Sequence, residues 1–345
     1  VKMSQKLYIL FCAGMYVYNI YQNIISCYNF YKNAHFIVEN LDTLKQYLFY
    51  TVEKMKQFES ITKDYESYSK FNKDLKANRV ELNTFYEQLK TIPKECKNMK
   101  NLFQLGKIMK YFYSIYDNQN LNEIINYSFD FNGYIDLMKG IQQSKKTHVI
   151  NNTKFVRKKT VMKYKNVYHP SIENPIKNTI DFSKNKIITG PNAAGKTTIL
   201  KSTIINTLFS QQFGVGYFDE ATLSPFDHFH CYINIPDTSG RDSLFQAEAR
   251  RCKKILDNIS ENPKHRHFCV FDELYSGTNP YEAISSAYGY IKYIIKSKKV
   301  KFLLTTHFIR LCNILDKDDR IENCSMKTII ENDIPKYFYK IENGI

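Results

Sequence analysis

The chain has 345 residues, 43% of them apolar, which is enough for two domains with their own cores. Its formal charge of +15 permits a polyanionic partner held through phosphate contacts without demonstrating one. The charge is discounted because the basic residues are overwhelmingly lysine, and richness in Lys, Asn, Ile and Tyr with no Trp looks like the codon bias of an AT-rich genome. Eight cysteines scattered without a C-x-x-C spacing argue against a disulfide-stapled secreted scaffold and for a reducing, intracellular compartment: cytosol, nucleoid or nucleus.

Residues 1–150 predict an all-α domain. Gly and Pro are confined there to Gly14, Pro93, Gly106, Gly133 and Gly140, and the stretches Leu41 to Thr62 and Leu102 to Tyr116 carry apolar residues at helical spacing. The run Leu7 to Tyr18 follows Lys2 and Lys6. A run of that length is ordinarily core helix. It is too short to span a bilayer alone, so membrane contact requires Ile20 through Tyr31 as well, and no small-residue cleavage site marks a signal peptide. The basic, Asn-rich stretch from Gln142 to Lys165 reads as a connector into a second domain, 151–345.

Within that domain, Lys186-Ile187-Ile188-Thr189 predicts a strand, and Gly190-Pro191-Asn192-Ala193-Ala194-Gly195-Lys196-Thr197-Thr198 a phosphate-binding loop opening a helix. The spacing Gly-x4-Gly-Lys-Thr lets successive backbone N–H groups point at anionic oxygens, with the helix N-terminus adding positive potential. Lys196 is expected against the β- and γ-phosphates of a nucleotide, and the Thr197 hydroxyl against Mg²⁺. Downstream, His267-Phe268-Cys269-Val270-Phe271 predicts a buried strand delivering Asp272 and Glu273 to the C-terminal edge of a parallel sheet. Asp272 suits metal coordination, and Glu273 suits orienting or deprotonating a water. The fold expected is an α/β P-loop NTPase, a mainly parallel sheet flanked by helices, and the two segments together argue for nucleotide hydrolysis. The histidines of His228-Phe229-His230-Cys231 and His265-Arg266-His267 are read as strand-edge residues rather than zinc ligands.

After Glu273 come Leu274-Tyr275-Ser276-Gly277-Thr278-Asn279-Pro280, a helical run, and the apolar strand Lys301 to Thr306 ending in His307. This segment resembles the ATPase domain of the MutS family, relatives of the ABC-type ATPases, in which Asp-Glu precedes a Gly-Thr turn and, one strand later, Thr-His. Tyr168-His169-Pro170 is similar to the family's opening Arg-His-Pro, and Gln212-Phe213-Gly214 to its Gln-Ile-Gly. Ile235-Pro236-Asp237, Gly240-Arg241 and Ser243-Leu244-Phe245-Gln246-Ala247-Glu248 resemble Ile-Gly-x-x-Asp, Gly-Arg and Ser-Thr-Phe-x-x-Glu. Asn323-Cys324-Ser325-Met326 and Phe338-Tyr339-Lys340-Ile341 resemble the closing strands. Two departures stand out. Ala193-Ala194 and Thr197 replace the common Met-Gly and Ser, keeping the needed glycines and hydroxyl, and Ser276 stands where an Arg would put a cation at the dimer face. An ABC transporter subunit fits less well, for no Leu-Ser-Gly-Gly-Gln string is present.

The resemblance implies a homo- or heterodimer through the ATPase domain, with Ser243 completing the partner's nucleotide site and His307 contacting the γ-phosphate. It implies action on double-stranded DNA, in mismatch repair or on branched or recombining duplexes. By position alone, residues 1–150 correspond to the lever helices that precede the ATPase. Thr84-Phe85-Tyr86-Glu87 contains the Phe-x-Glu of mismatch-reading wedges, but within a charged helical run, and is taken as coincidence. The chain opens with Val and stops at Gly344-Ile345, where the family continues into a helical dimerisation element, and so is expected to be a fragment. The alternative function is an ATPase switch whose helical half docks a protein or membrane partner without binding DNA.

Overall fold

The computed structural model describes residues 3–92, 104–157, 160–233, 244–331 and 334–345. It divides into two compact units, Val1–Gly140 and Ile141–Ile345.

The first unit is helical: α1 (Met3–Thr62), α2 (Ser69–Lys90), α3 (Leu105–Asp117) and the larger part of α4 (Gln119–Lys146). On α1 the buried residues Val38, Leu41, Leu48, Val52 and Met55 fall at spacings of three, four and seven, which is one face of a helix. That face packs against Leu82, Phe85 and Leu89 of α2, Ile108 of α3, and Ile124 and Ile125 of α4. Phe85 is therefore interior and unable to act as a wedge. A second cluster joins Met55, Leu75 and Phe131, with the Phe58 ring edge-on to Phe71 and Phe131 at 5.6 and 5.7 Å. Asn132 on α4 ties the bundle across, its amide donating to Thr51 Oγ1 at 2.9 Å and to Tyr47 Oη at 3.1 Å on α1.

The first half of α1 departs from expectation. Instead of forming core, the run from Leu7 stands in solvent, with Leu7 69% and Leu10 76% exposed. Among the described residues of α1 the first buried one is Ala34, and those of the core shared with α2, α3 and α4 begin at Val38. Among the described residues no helix is long and apolar enough to cross a membrane.

The second unit carries two sheets. The stretch expected as a connector instead contains the end of α4, strand β1 (Asn151–Phe155) and the start of β2 (Met162–Val167). The sequence hid them because Lys163 and Lys165 alternate with the buried Met162 and Tyr164, so a half-buried strand reads as a basic loop. With β3 (Asn178–Asp181), β5 (Val215–Gly216) and β6 (Glu220–Leu223) they form a five-stranded sheet in the order β3-β2-β6-β1-β5.

The other sheet has six strands in the order β11-β10-β4-β9-β8-β7. These are β4 (Asn185–Thr189), β7 (His228–Tyr232), β8 (His267–Asp272), β9 (Val300–Thr306), β10 (Ile321–Glu331) and β11 (Ile334–Asn343). All its pairs are parallel except the β10–β11 hairpin. Its central strands are apolar on both faces, as a sheet covered on both sides requires. Ile187, Cys269, Phe271, Phe302 and Leu304 face a core shared with α6 (Leu244–Glu261), α7 (Pro280–Ile294) and α8 (Ile309–Leu315). Alternate residues, Ile188, Phe268, Val270 and Leu303, face the core under α5 (Lys196–Phe213) and the other sheet. The register aligns Thr189 with Thr306 and Asp272 with Thr305. Three strand ends thus reach one edge together, the place where open α/β sheets bind ligands.

Candidate functional site

At the end of β4 the chain turns through Gly190 to Gly195 into α5. Two positions require glycine. Gly190 has φ +155°, and a Cβ there would lie 2.9 Å from the Met326 Cβ; Gly195, with φ +95°, would bring a Cβ to 3.1 Å from the Tyr339 ring. The turn therefore lies close against β10 and β11. Lys196, the first residue of α5, is buried, and its ammonium donates back to the carbonyls of Gly190 at 2.8 Å and Pro191 at 3.2 Å. Pro191, Asn192 and Ala193 are exposed, and Ala194 is buried under the turn.

The acidic strand end meets this turn. The Thr197 hydroxyl donates to Asp272, 2.9 Å to Oδ2 and 3.2 Å to Oδ1, and the Thr305 hydroxyl donates to Asp272 Oδ1. Glu273 is left-handed, φ +52°, with its N–H on the Thr305 carbonyl at 3.0 Å. This backbone turns its carboxylate toward the glycine-rich turn, where Oε1 lies 3.6 Å from Lys196 Nζ and 3.7 Å from His307 Nδ1. Lys196, Thr197, Asp272, Glu273 and His307 are thus gathered at one sheet edge. Ser243, with Ile235-Pro236-Asp237 and Gly240-Arg241, lies outside the described residues.

Sequence reasoning missed Thr305, although it neighbours the Thr306-His307 pair and faces Asp272 in register. It also missed a cavity of about 580 Å³ beside the turn, lined by His169, Ile172, Ile176, Thr198, Tyr337 and Tyr339 among others. That volume and largely apolar lining suit a small organic ligand. Burial, then the nearby Lys201 cation, lowers the His169 pKa and favours a neutral imidazole there. The four strand-edge histidines form a ladder, His228 Nε2 with His265 Nδ1 at 2.9 Å and His230 Nε2 with His267 Nδ1 at 3.0 Å. Among the described residues no group of three or more His, Cys, Asp or Glu side chains is placed to hold a metal. Magnesium bound with phosphates needs only one or two protein oxygens, and the Thr197 and Asp272 pair supplies two that converge.

An α/β domain with mixed sheets, its glycine-rich turn facing an acidic strand end, is the class that fold and site define. Residues 186–345 match the family model for MutS domain V. It is this part of the chain, residues 186–345, that is similar to the MutS family. It is similar to the DNA mismatch repair protein MutS of Bacillus thuringiensis (strain Al Hakam), 32% identical over 163 residues, which is 46% of this chain and 17% of that protein. The proteins of the same description from Bacillus cereus (strain AH187) and Bacillus anthracis (strain CDC 684 / NRRL 3495) give the same identity and coverage. The chain thus spans about a sixth of the length of the curated relatives it matches, 17%.

Proposed function

We propose that this chain binds and hydrolyses ATP with Mg²⁺ as a MutS-like protein acting on double-stranded DNA, working as a dimer through its α/β unit. The observation that carries the reading is the convergence of Lys196, Thr197, Asp272 and Glu273 at one sheet edge. Backbone N–H groups of Asn192 to Thr198 and the Lys196 ammonium hold the β- and γ-phosphates, and the adjoining cavity takes the base between His169 and the Tyr337 to Tyr339 strand. Thr197 and Asp272 hold the magnesium ion, which neutralises phosphate charge when bound. Glu273 orients the attacking water and accepts its proton, and His307, beside it, donates toward the γ-phosphate. Ser243 serves the partner's nucleotide. By the resemblance, mismatched and branched duplexes are both candidate substrates, and residues 1–150 act as the lever between nucleotide and DNA.

The test has two parts. Glu273→Gln should keep ATP binding while lowering turnover by about 10²- to 10⁴-fold, the range for a lost general base, and unchanged turnover would remove Glu273 from the mechanism. Gel shifts with homoduplex, mismatched and branched DNA, with and without ATP, test the DNA half. Affinity should fall with salt by roughly 0.9 log unit per phosphate contact for each tenfold rise in salt. One observation favours the other reading, in which the helical half docks a protein or membrane partner instead: the apolar stretch from Leu7 on α1 is exposed. DNA binding that is absent at low salt in a dimeric preparation would move the account there.

A further inference from the structure

We infer that Glu248 is a positioning residue for hydrolysis, clamping the loop that follows Glu273 to helix α6 and so fixing where the Glu273 carboxylate points. The inference rests on the ATPase reading above. Glu248 is only 2% exposed, a placement that a carboxylate tolerates only when its oxygens are hydrogen-bonded. Oε1 accepts from the Ser276 N–H and the Ser276 hydroxyl, both at 3.1 Å, and Oε2 accepts from the Gly277 N–H at 3.2 Å. A single side chain thus holds consecutive backbone groups of the loop three and four residues beyond Glu273.

Two apolar contacts close the same clamp. Gly277 lies so near Leu244, the first residue of α6, that a Cβ would fall 2.7 Å from the Leu244 Cγ. The Phe245 ring lies 5.6 Å from that of Tyr275. Between clamp and site the backbone is left-handed at two non-glycine residues, Glu273 at +52° and Tyr275 at +59°. Such conformations persist only where the surroundings over-determine them. Here the Glu273 N–H is held by the Thr305 carbonyl, the Tyr275 N–H by the Tyr232 hydroxyl at 3.3 Å, and the next two N–H groups by Glu248.

Packing alone does not call for a carboxylate at this position, because Cys252, Ile255 and Ile259 already anchor α6 to the sheet through buried apolar contacts. A leucine would fill the space, but it could not select which loop N–H groups lie opposite. The carboxylate does, and the choice sets the register of the loop.

In Glu248→Ala, kcat should fall by about 10²-fold, the order expected when a catalytic group is displaced by about 1 Å, while KM for ATP stays within about twofold. Glu248→Gln should recover most of that loss, since its amide oxygen still accepts a loop N–H. In a Glu273→Gln background Glu248→Ala should cost little more, because the group it positions has gone. Amide hydrogen exchange should show faster exchange at Tyr275 to Thr278 in Glu248→Ala and near-native exchange in Glu248→Gln. Unchanged kcat in Glu248→Ala, the full loss persisting in the Glu273→Gln background, or unchanged loop protection would each overturn the inference. Exchange needs no turnover: a wild-type chain without ATPase activity would sink the ATPase reading, while the exchange result would still decide the clamp.

Discussion

The two units use apolar residues in different ways. In the α/β unit nearly every large apolar side chain on the central strands is buried, alternating between two cores, and this packing fixes three strand ends at one edge to within hydrogen-bonding distance. In the helical unit only one face of α1 from Ala34 onward is buried, and the apolar turns before it stand in solvent. Chemistry at a point needs a scaffold packed from all sides. A long helix needs only one packed stretch to hold its position, which leaves the rest free to face something else.

The sharpest way to break the contrast is to remove methylenes from each end of α1. Leu48 is fully buried, so Leu48→Ala should cost about 2 to 5 kcal/mol in denaturant unfolding monitored on the helical signal. A smaller effect tests the α/β unit. Burial first, then His267, His228 and Arg251, pushes His230 from its ordinary value near 6.5 down to about 4, and burial likewise lowers His267. Because the folded values lie below the unfolded one, the unfolded chain binds the extra protons, so stability is complete above about pH 6.5 and is lost as pH falls toward 4. The slope is up to about 1.4 kcal/mol per pH unit for each histidine that charges only on unfolding. Melting temperature followed against pH should fall in that window and flatten in His230→Asn; an equal slope in both proteins would exclude His230 as the cause. The smallest effect is expected at the exposed end of α1, where Leu10→Ala should change stability by less than about 0.5 kcal/mol. A loss there approaching that of Leu48→Ala would mean that the first half of α1 is packed in solution.

How much of this was legible depended on whether function fixes residue identity. Gly190, Gly195, Lys196 and Thr197 could be read directly, because a tight turn and a buried cation allow few other residues. Asp272 and Glu273 followed from an apolar run ending in two carboxylates. Strands β1 and β2 were not legible, since lysines on one face masked the two-residue alternation. The clamp by Glu248 was hidden for another reason: its partners are backbone N–H groups of Ser276 and Gly277, which have no side-chain signature in the sequence. The exposure of Leu7 to Tyr18 was misjudged because hydropathy reports what a segment could bury, whereas the neighbours available decide whether it does.

The central claim is that the turn from Gly190 to Thr198 holds the phosphates of ATP, and equilibrium binding of Mg·ATP to wild type and Lys196→Ala tests it most directly. The buried Lys196 ammonium has carbonyl partners within the turn and Glu273 at 3.6 Å. Losing its charge-assisted bonds, worth about 1.5 to 3 kcal/mol, should weaken binding by roughly 10- to 100-fold with the fold intact by circular dichroism. Wild-type affinity in Lys196→Ala would contradict the account.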